Sequence, residues 1–157
     1  MPLLSAGLLV YRKTKTLPEV LLVHPGGPFF IKKDTGVWSV PKGLYEADED
    51  PLEAAKREFA EETGNKIEEG NFFPLQAVKS KGGKILQTWA VEADFEQAFV
   101  QSNLFELEWP LHSGKKQFFP EADKAEWFIL NEAKEKIYSY QVPLIDELEE
   151  ILKLKVH

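Results

Sequence analysis

Two short apolar runs separated by a polar stretch open the chain. Ser5 to Tyr11 and Glu19 to His24, the latter carrying Val20, Leu21, Leu22 and Val23, each have the length and continuity of a buried strand. Pro25-Gly26-Gly27-Pro28 breaks the pattern and starts a loop. Gly36-Val37-Trp38-Ser39-Val40 predicts a further short strand, ended by Pro41-Lys42-Gly43. Between Pro51 and Thr63 the period changes. Leu52, Ala55 and Phe59 share one face at helical spacing, so a helix here can pack on a sheet. Asp50 is a good N-cap, Pro51 suits the first helical position, and Glu53 completes a capping-box pattern. Gly64 stands where a left-handed C-terminal cap is expected.

Farther on, Leu75 to Ser80 and Ile85 to Ala93 predict strands around a turn at Lys81-Gly82-Gly83-Lys84. A hairpin explains that turn more cheaply than a phosphate cradle does. Glu106 and Glu108 alternate with Phe105, Leu107 and Trp109, the pattern of a strand with one solvated face. Trp127 to Leu130 reads as a last short strand, followed by helical patterns at Asn131 to Tyr138 and Pro143 to Leu154. Strands interspersed with a few helices predict an α/β fold, a mixed sheet between helices. No repeat, low-complexity tract or linker interrupts the chain, so one domain is expected over 1–157.

Composition narrows the class. A chain of 157 residues can bury a real core, and 43% hydrophobic with 29% charged residues is a globular mixture. No stretch nears the roughly eighteen apolar residues of a membrane span. Met1-Pro2-Leu3-Leu4-Ser5-Ala6-Gly7 lacks the basic start and long apolar core of a secretory signal, so the cytoplasm is the expected location. Without cysteine, disulfides and thiolate metal sites are excluded. His24, His112 and His157 are scattered, so any metal is held mainly by oxygen, which suits Mg2+ or Mn2+. The net charge of -7 disfavours long DNA or RNA as a partner. It leaves room for a small anionic substrate, because a metal and a few local lysines reverse the field within one cleft.

The informative stretch runs from Gly43 to Gly64. It holds Gly43, Glu49, Arg57-Glu58-Phe59, Glu61-Glu62 and Gly64. Glu58, Glu61 and Glu62, spaced i, i+3 and i+4, project their carboxylates from one side of the helix. Like charges that close weaken an isolated helix, and a divalent cation would turn the repulsion into coordination. Glu61-Glu62 alone reads best as a solvated acidic face. The full spacing is different: given 20 Glu, 10 Gly and 2 Arg in 157 residues, it arises by chance roughly once in a million such chains.

This stretch resembles the signature box of the Nudix, or MutT-like, hydrolases. Every charged position and both glycines of the pattern are present, and Phe59 fills its apolar place. Asn65 departs from it, standing where an apolar residue normally follows the last glycine. The resemblance implies an α/β/α sandwich and hydrolysis of a phosphoanhydride bond in a nucleoside polyphosphate by water. Glu58, Glu61 and Glu62 would hold Mg2+ or Mn2+, with a backbone carbonyl near Lys42 or Gly43 as a further ligand. Arg57 and Glu49 would pair structurally, and Gly43 and Gly64 would permit tight turns. The general base stays open among Glu61, Glu62 and Glu121, the last in Phe119-Pro120-Glu121.

Trp38-Ser39-Val40-Pro41-Lys42-Gly43 resembles the lead-in of Nudix enzymes acting on dinucleoside polyphosphates and nucleoside triphosphates. Lys42 and His24 are the candidate phosphate contacts, although a plain packed or exposed histidine is the better reading of His24. Trp38, Phe29, Phe30 and Trp109 have the aromatic faces to stack on a base, but core positions suit them better. Ser102 to Pro110, with Ser113-Gly114 and Phe119-Pro120-Glu121, resembles a bacterial subgroup of predicted NTP pyrophosphohydrolases. The expected partner is thus a small nucleotide-like diphosphate, and the protein a monomer or homodimer. Two alternatives stand: a sanitising pyrophosphatase for oxidised or altered nucleoside triphosphates, and a non-catalytic nucleotide-sensing module.

Overall fold

A computed structural model of the protein describes residues 3–156, with side chains described as far as Lys153. Met1, Pro2 and His157, at the ends of the domain expected over 1–157, lie outside the described residues. The elements are β1 (Leu4–Arg12), β2 (Glu19–Pro25), β3 (Lys42–Leu44), α1 (Pro51–Thr63), β4 (Phe73–Pro74), β5 (Val78–Lys79), β6 (Ile85–Glu92), β7 (Leu104–Glu108), β8 (Lys116–Pro120), β9 (Ala122–Ile129), α2 (Leu130–Lys136) and α3 (Val142–Val156). No helix among the described residues is long and apolar enough to cross a membrane.

The main sheet has the order β4-β6-β1-β2-β9, with β3 on β1 and β5 on β6, while β7 and β8 form a separate hairpin. It is mixed: β1 runs parallel to β6, and its other pairings are antiparallel. One edge of β1 is divided. Ser5 to Gly7 pair with β3, and Tyr11 and Arg12 pair with β2. β1 and β2 therefore diverge, and residues 39–44 wedge between them: Ser39 bridges to Val23, and the Leu8 N–H donates to the Pro41 carbonyl at 3.2 Å. That wedge delivers Lys42 and Gly43 to the end of α1.

Strand alternation sorts β1 onto two cores. Ala6, Leu8 and Val10 pack with Ala54, Ala55 and Phe59 of α1. Leu9 and Tyr11 pack with Leu144, Ile145 and Leu148 of α3 on the opposite face. Burying Phe59 alone contributes roughly 1.5–3 kcal/mol. The sheet thus lies between helices, as the sequence predicts.

Four elements differ from their expectation. Trp38 and Ser39 make only isolated bridges, and the strand begins instead at Lys42. Pro41 has no N–H to continue a ladder, and Trp38 is drawn to Ile137 while Ser39 goes to Val23. The strand expected from Leu75 to Ser80 is broken into β4 and β5, because the Gln76 N–H is taken by Glu147 Oε1 of α3 at 2.8 Å. β9 starts at Ala122, well before Trp127; its exposed or half-exposed Asp123, Lys124 and Glu126 mask the strand in the sequence. β8 was not anticipated, since three of its five residues are exposed and no apolar alternation announces it.

Candidate metal centre

Helix α1 is bounded by its own sequence. The Asp50 side chain accepts the Glu53 N–H at 3.0 Å. Gly64 takes a left-handed φ of 79° and its N–H reaches the Ala60 carbonyl at 2.9 Å. With both ends fixed, Glu58 and Glu62 stand one turn apart on the same face, and Glu61 points about 60° to the other side of Glu58.

Glu121, in the turn between β8 and β9, completes a cluster. One carboxylate oxygen from each of Glu58, Glu62 and Glu121 lies within 4.8 Å of the others. Glu61 instead faces Arg57, whose Nη1 is 3.4 Å from its Oε1. Arg57 also donates from Nη1 to Glu58 at 2.8 Å, and from Nε and Nη2 to Glu49 at 3.0 and 3.1 Å. That two-pronged bond ties the loop before α1 to the helix. Hydrogen bonding to Glu49 and the charge of Glu58 hold the guanidinium firmly protonated against its partial burial.

Close approach is what residue 43 supplies. A Cβ at Gly43 would lie 2.1 Å from Cδ of Glu58, so only glycine lets β3 run this near the carboxylate. Gly43 does not have the positive φ of a turn; Gly64 does. Next to it, the Lys42 N–H donates to Glu62 Oε1 at 3.2 Å.

The electrostatics describe a site short of positive charge. Burial pushes the Glu62 carboxyl up to about 8, against the pull of the Lys42 charge and N–H. Glu58 is raised by burial and by the neighbouring Glu61 charge, with Arg57 opposing. Glu121 is raised by burial and Glu61. Three converging carboxyl groups that resist ionising, with no nitrogen or sulfur donor among them, fit a hard divalent cation such as Mg2+ or Mn2+.

The candidate substrate contacts are placed unequally. Lys42 is half-buried beside the carboxylates. His24 is 2% exposed, and both ring nitrogens meet protein oxygens: Nδ1 with Asp123 at 2.8 Å, Nε2 with the Lys33 carbonyl at 2.6 Å. Trp38 is also buried, its Nε1–H donating to Asp34 at 2.8 Å and its ring edge-to-face with His24 and Phe128. Phe29 is exposed and packs edge-to-face on Trp109 at 5.3 Å, and Phe30 lies under Lys33. Elsewhere, a cleft of about 600 Å³ is lined by Gly36, Lys81, Gly82, Tyr138 and Tyr140. Sequence reasoning did not single out Gly26 or Asn103. Their backbones hold Glu121, Gly26 N–H on its carbonyl at 3.0 Å and the Asn103 carbonyl on its N–H at 2.8 Å, and nothing in the local pattern signals this.

The NUDIX domain family model matches residues 1–148, and the chain belongs to that family as a Nudix hydrolase. Among solved structures, a Caenorhabditis elegans Ap4A hydrolase in a binary complex aligns at 23% identity and a TM-score of 0.66, over 95% of this chain and 98% of that one. The NUDIX domain of Shewanella oneidensis NrtR, complexed with ADP ribose, aligns at 16% identity and a TM-score of 0.67, over 97% and 89%. A mutT/nudix family protein from Listeria innocua aligns at 14% identity and a TM-score of 0.67, over 99% and 98%. At these identities the likeness is one of fold. No curated protein matches the chain.

Proposed function

We propose that the protein is a metal-dependent cytoplasmic hydrolase, cleaving a phosphoanhydride bond of a nucleoside polyphosphate, with dinucleoside polyphosphates as the leading substrate class. The observation that carries this is the convergence of Glu58, Glu62 and Glu121 from distant parts of the chain. A bound Mg2+ or Mn2+ would neutralise phosphate charge and acidify a water. Glu58, Glu61 and Glu62 would hold the ion, and Glu121, whose carboxylate closes on Glu58 and Glu62, would be a further ligand. Lys42 would bind a phosphate oxygen through its ammonium group. Glu121, Glu61 or Glu62 would take the proton from the attacking water, and no covalent protein intermediate is required. Arg57 and Glu49 would keep the helix and loop in register. His24 and Trp38, with their polar atoms engaged inside the protein, would act by fixing the residues 33–38 loop. The cleft lined by Tyr138, Tyr140 and Lys81 brings together two aromatic residues and a cation, groups that nucleotide binding uses. Two relatives support this reading: one is an Ap4A hydrolase and the other is complexed with ADP ribose, and both compounds are nucleotides with phosphoanhydride links.

Product analysis after incubation with Mg2+ and then Mn2+ tests this, over dinucleoside polyphosphates, normal and oxidised nucleoside triphosphates, and nucleotide sugars. Asymmetric cleavage of a dinucleotide is the expected result. Pyrophosphate and a monophosphate from an altered triphosphate would select the sanitising alternative, and tight nucleotide binding without turnover the sensing one. Glu58→Gln or Glu62→Gln should lose about 100-fold or more in turnover while staying folded. Wild-type turnover in either variant refutes the assignment.

A further inference from the structure

Residues 97–103 have no regular secondary structure, yet they join the two halves of the carboxylate cluster. The last carbonyls of a helix have no partner within it. Two of those of α1 are satisfied by this strap: the Glu61 carbonyl accepts the Asn103 N–H at 2.8 Å, and the Thr63 carbonyl accepts from Val100 at 2.8 Å and Gln101 at 3.3 Å. On its other side the strap holds the start of β9. The Asn103 carbonyl accepts the Glu121 N–H at 2.8 Å, and Ser102 Oγ accepts the Ala122 N–H at 3.0 Å. A single residue, Asn103, therefore spans from the backbone of Glu61 to the backbone of Glu121.

The strap is itself pinned by Asn65. Its Nδ2 donates to the carbonyls of Gln97 at 2.9 Å and Ala98 at 3.2 Å, while its N–H bonds to Thr63 Oγ1 at 3.1 Å. Gly64 lets the strap seat closely, since a Cβ there would lie 2.8 Å from the Gln101 nitrogen. The apolar residue usual at position 65 of the box has no donor for either carbonyl. An amide in its place has two N–H groups, and both carbonyls lie within their reach.

We propose that Asn65 and Ser102 are positioning residues that set, through the 97–103 strap, the separation between the α1 carboxylates and Glu121. The inference rests on the metal-centre reading of that cluster. Neither side chain touches the carboxylates; each acts through backbone that does the holding. Loosening the strap leaves Glu58 and Glu62 on their helix but lets Glu121 drift from them.

Mn2+ binding to the full chain, followed by electron paramagnetic resonance, tests this beside thermal melting. Asn65→Leu and Ser102→Ala should each weaken Mn2+ binding about 10-fold, with KM for substrate unchanged and kcat restored by excess Mn2+. Ser102→Thr keeps the hydroxyl and should bind Mn2+ as wild type does. Should Asn65→Leu fail to fold, the Ser102 pair carries the test. Unchanged Mn2+ affinity in Ser102→Ala, or equal weakening in Ser102→Ala and Ser102→Thr, overturns the positioning role. A wild-type chain that binds no Mn2+ overturns the metal centre itself, an outcome distinct from a silent strap.

Discussion

Glycine at position 43 and glutamate at position 58 form a pair in which one side chain exists by the absence of the other. A methyl group at residue 43 would overlap the Glu58 carboxylate, which is buried and bonded to Arg57, so the carboxylate has little room to yield. Gly43→Ala should lower stability by about 1–3 kcal/mol, as overpacking does. It should also abolish the rise in Tm expected of the wild type in Mn2+. Melting curves with and without Mn2+ check both; a variant with an intact Mn2+ response would show that Glu58 can move aside. The charges of the box were legible because helical spacing alone places Glu58 and Glu62 together. The partners that enclose His24 were not legible, although the core position of Trp38 was. In a sequence, a histidine bonded to Asp123 looks the same as one awaiting a phosphate.

Helix α1 is the element whose sequence predicted it best, because its caps and its apolar stripe are local signals. Asp50→Ala removes the side-chain acceptor that caps its N-terminus and should cost about 1 kcal/mol. In a chain of this size that is a fall of roughly 2–4 °C in Tm. Turnover at saturating metal should stay within about twofold, since the carboxylates lie a turn or more beyond the cap; a large loss of turnover would mean the first turn helps shape the centre. Strands were read less well where their pairing is remote. β9 hides behind its charged outward face, and the break between β4 and β5 depends on Glu147 of α3. Neither contact leaves a mark on the residues of the strand concerned.

Across the whole molecule the raised carboxyl groups couple folding to protons and would couple both to a metal. Glu62 is pushed up to about 8 from an ordinary 4.5, and Glu58 and Glu121 move the same way. An acid whose folded pKa is raised favours the folded state below its unfolded value, and that contribution is lost as pH climbs through the folded value. Without metal, stability should therefore decline between about pH 4.5 and pH 8 on account of Glu62. A cation needs the ionised forms, so its binding displaces protons and strengthens over the same window. The difference in Tm between Mg2+ and chelator should be wider at pH 8.5 than at pH 6. A difference independent of pH would show that these groups do not carry the metal.

What could be read from the order of residues was whatever is decided within a few turns of chain: the capped helix, the apolar alternation of β1 and β2, and the carboxylates on one helical face. These follow from periodicity and hydrogen bonding over short separations, which need no knowledge of neighbours. The recruitment of Glu121, the burial of His24, the wedge of residues 39–44 and the strap at 97–103 came only with the folded chain. Each depends on which remote backbone groups remain unpaired once the sheet has formed. The unpaired carbonyls at the end of α1 and the divergence of β1 from β2 create those vacancies, and no local pattern encodes what fills them.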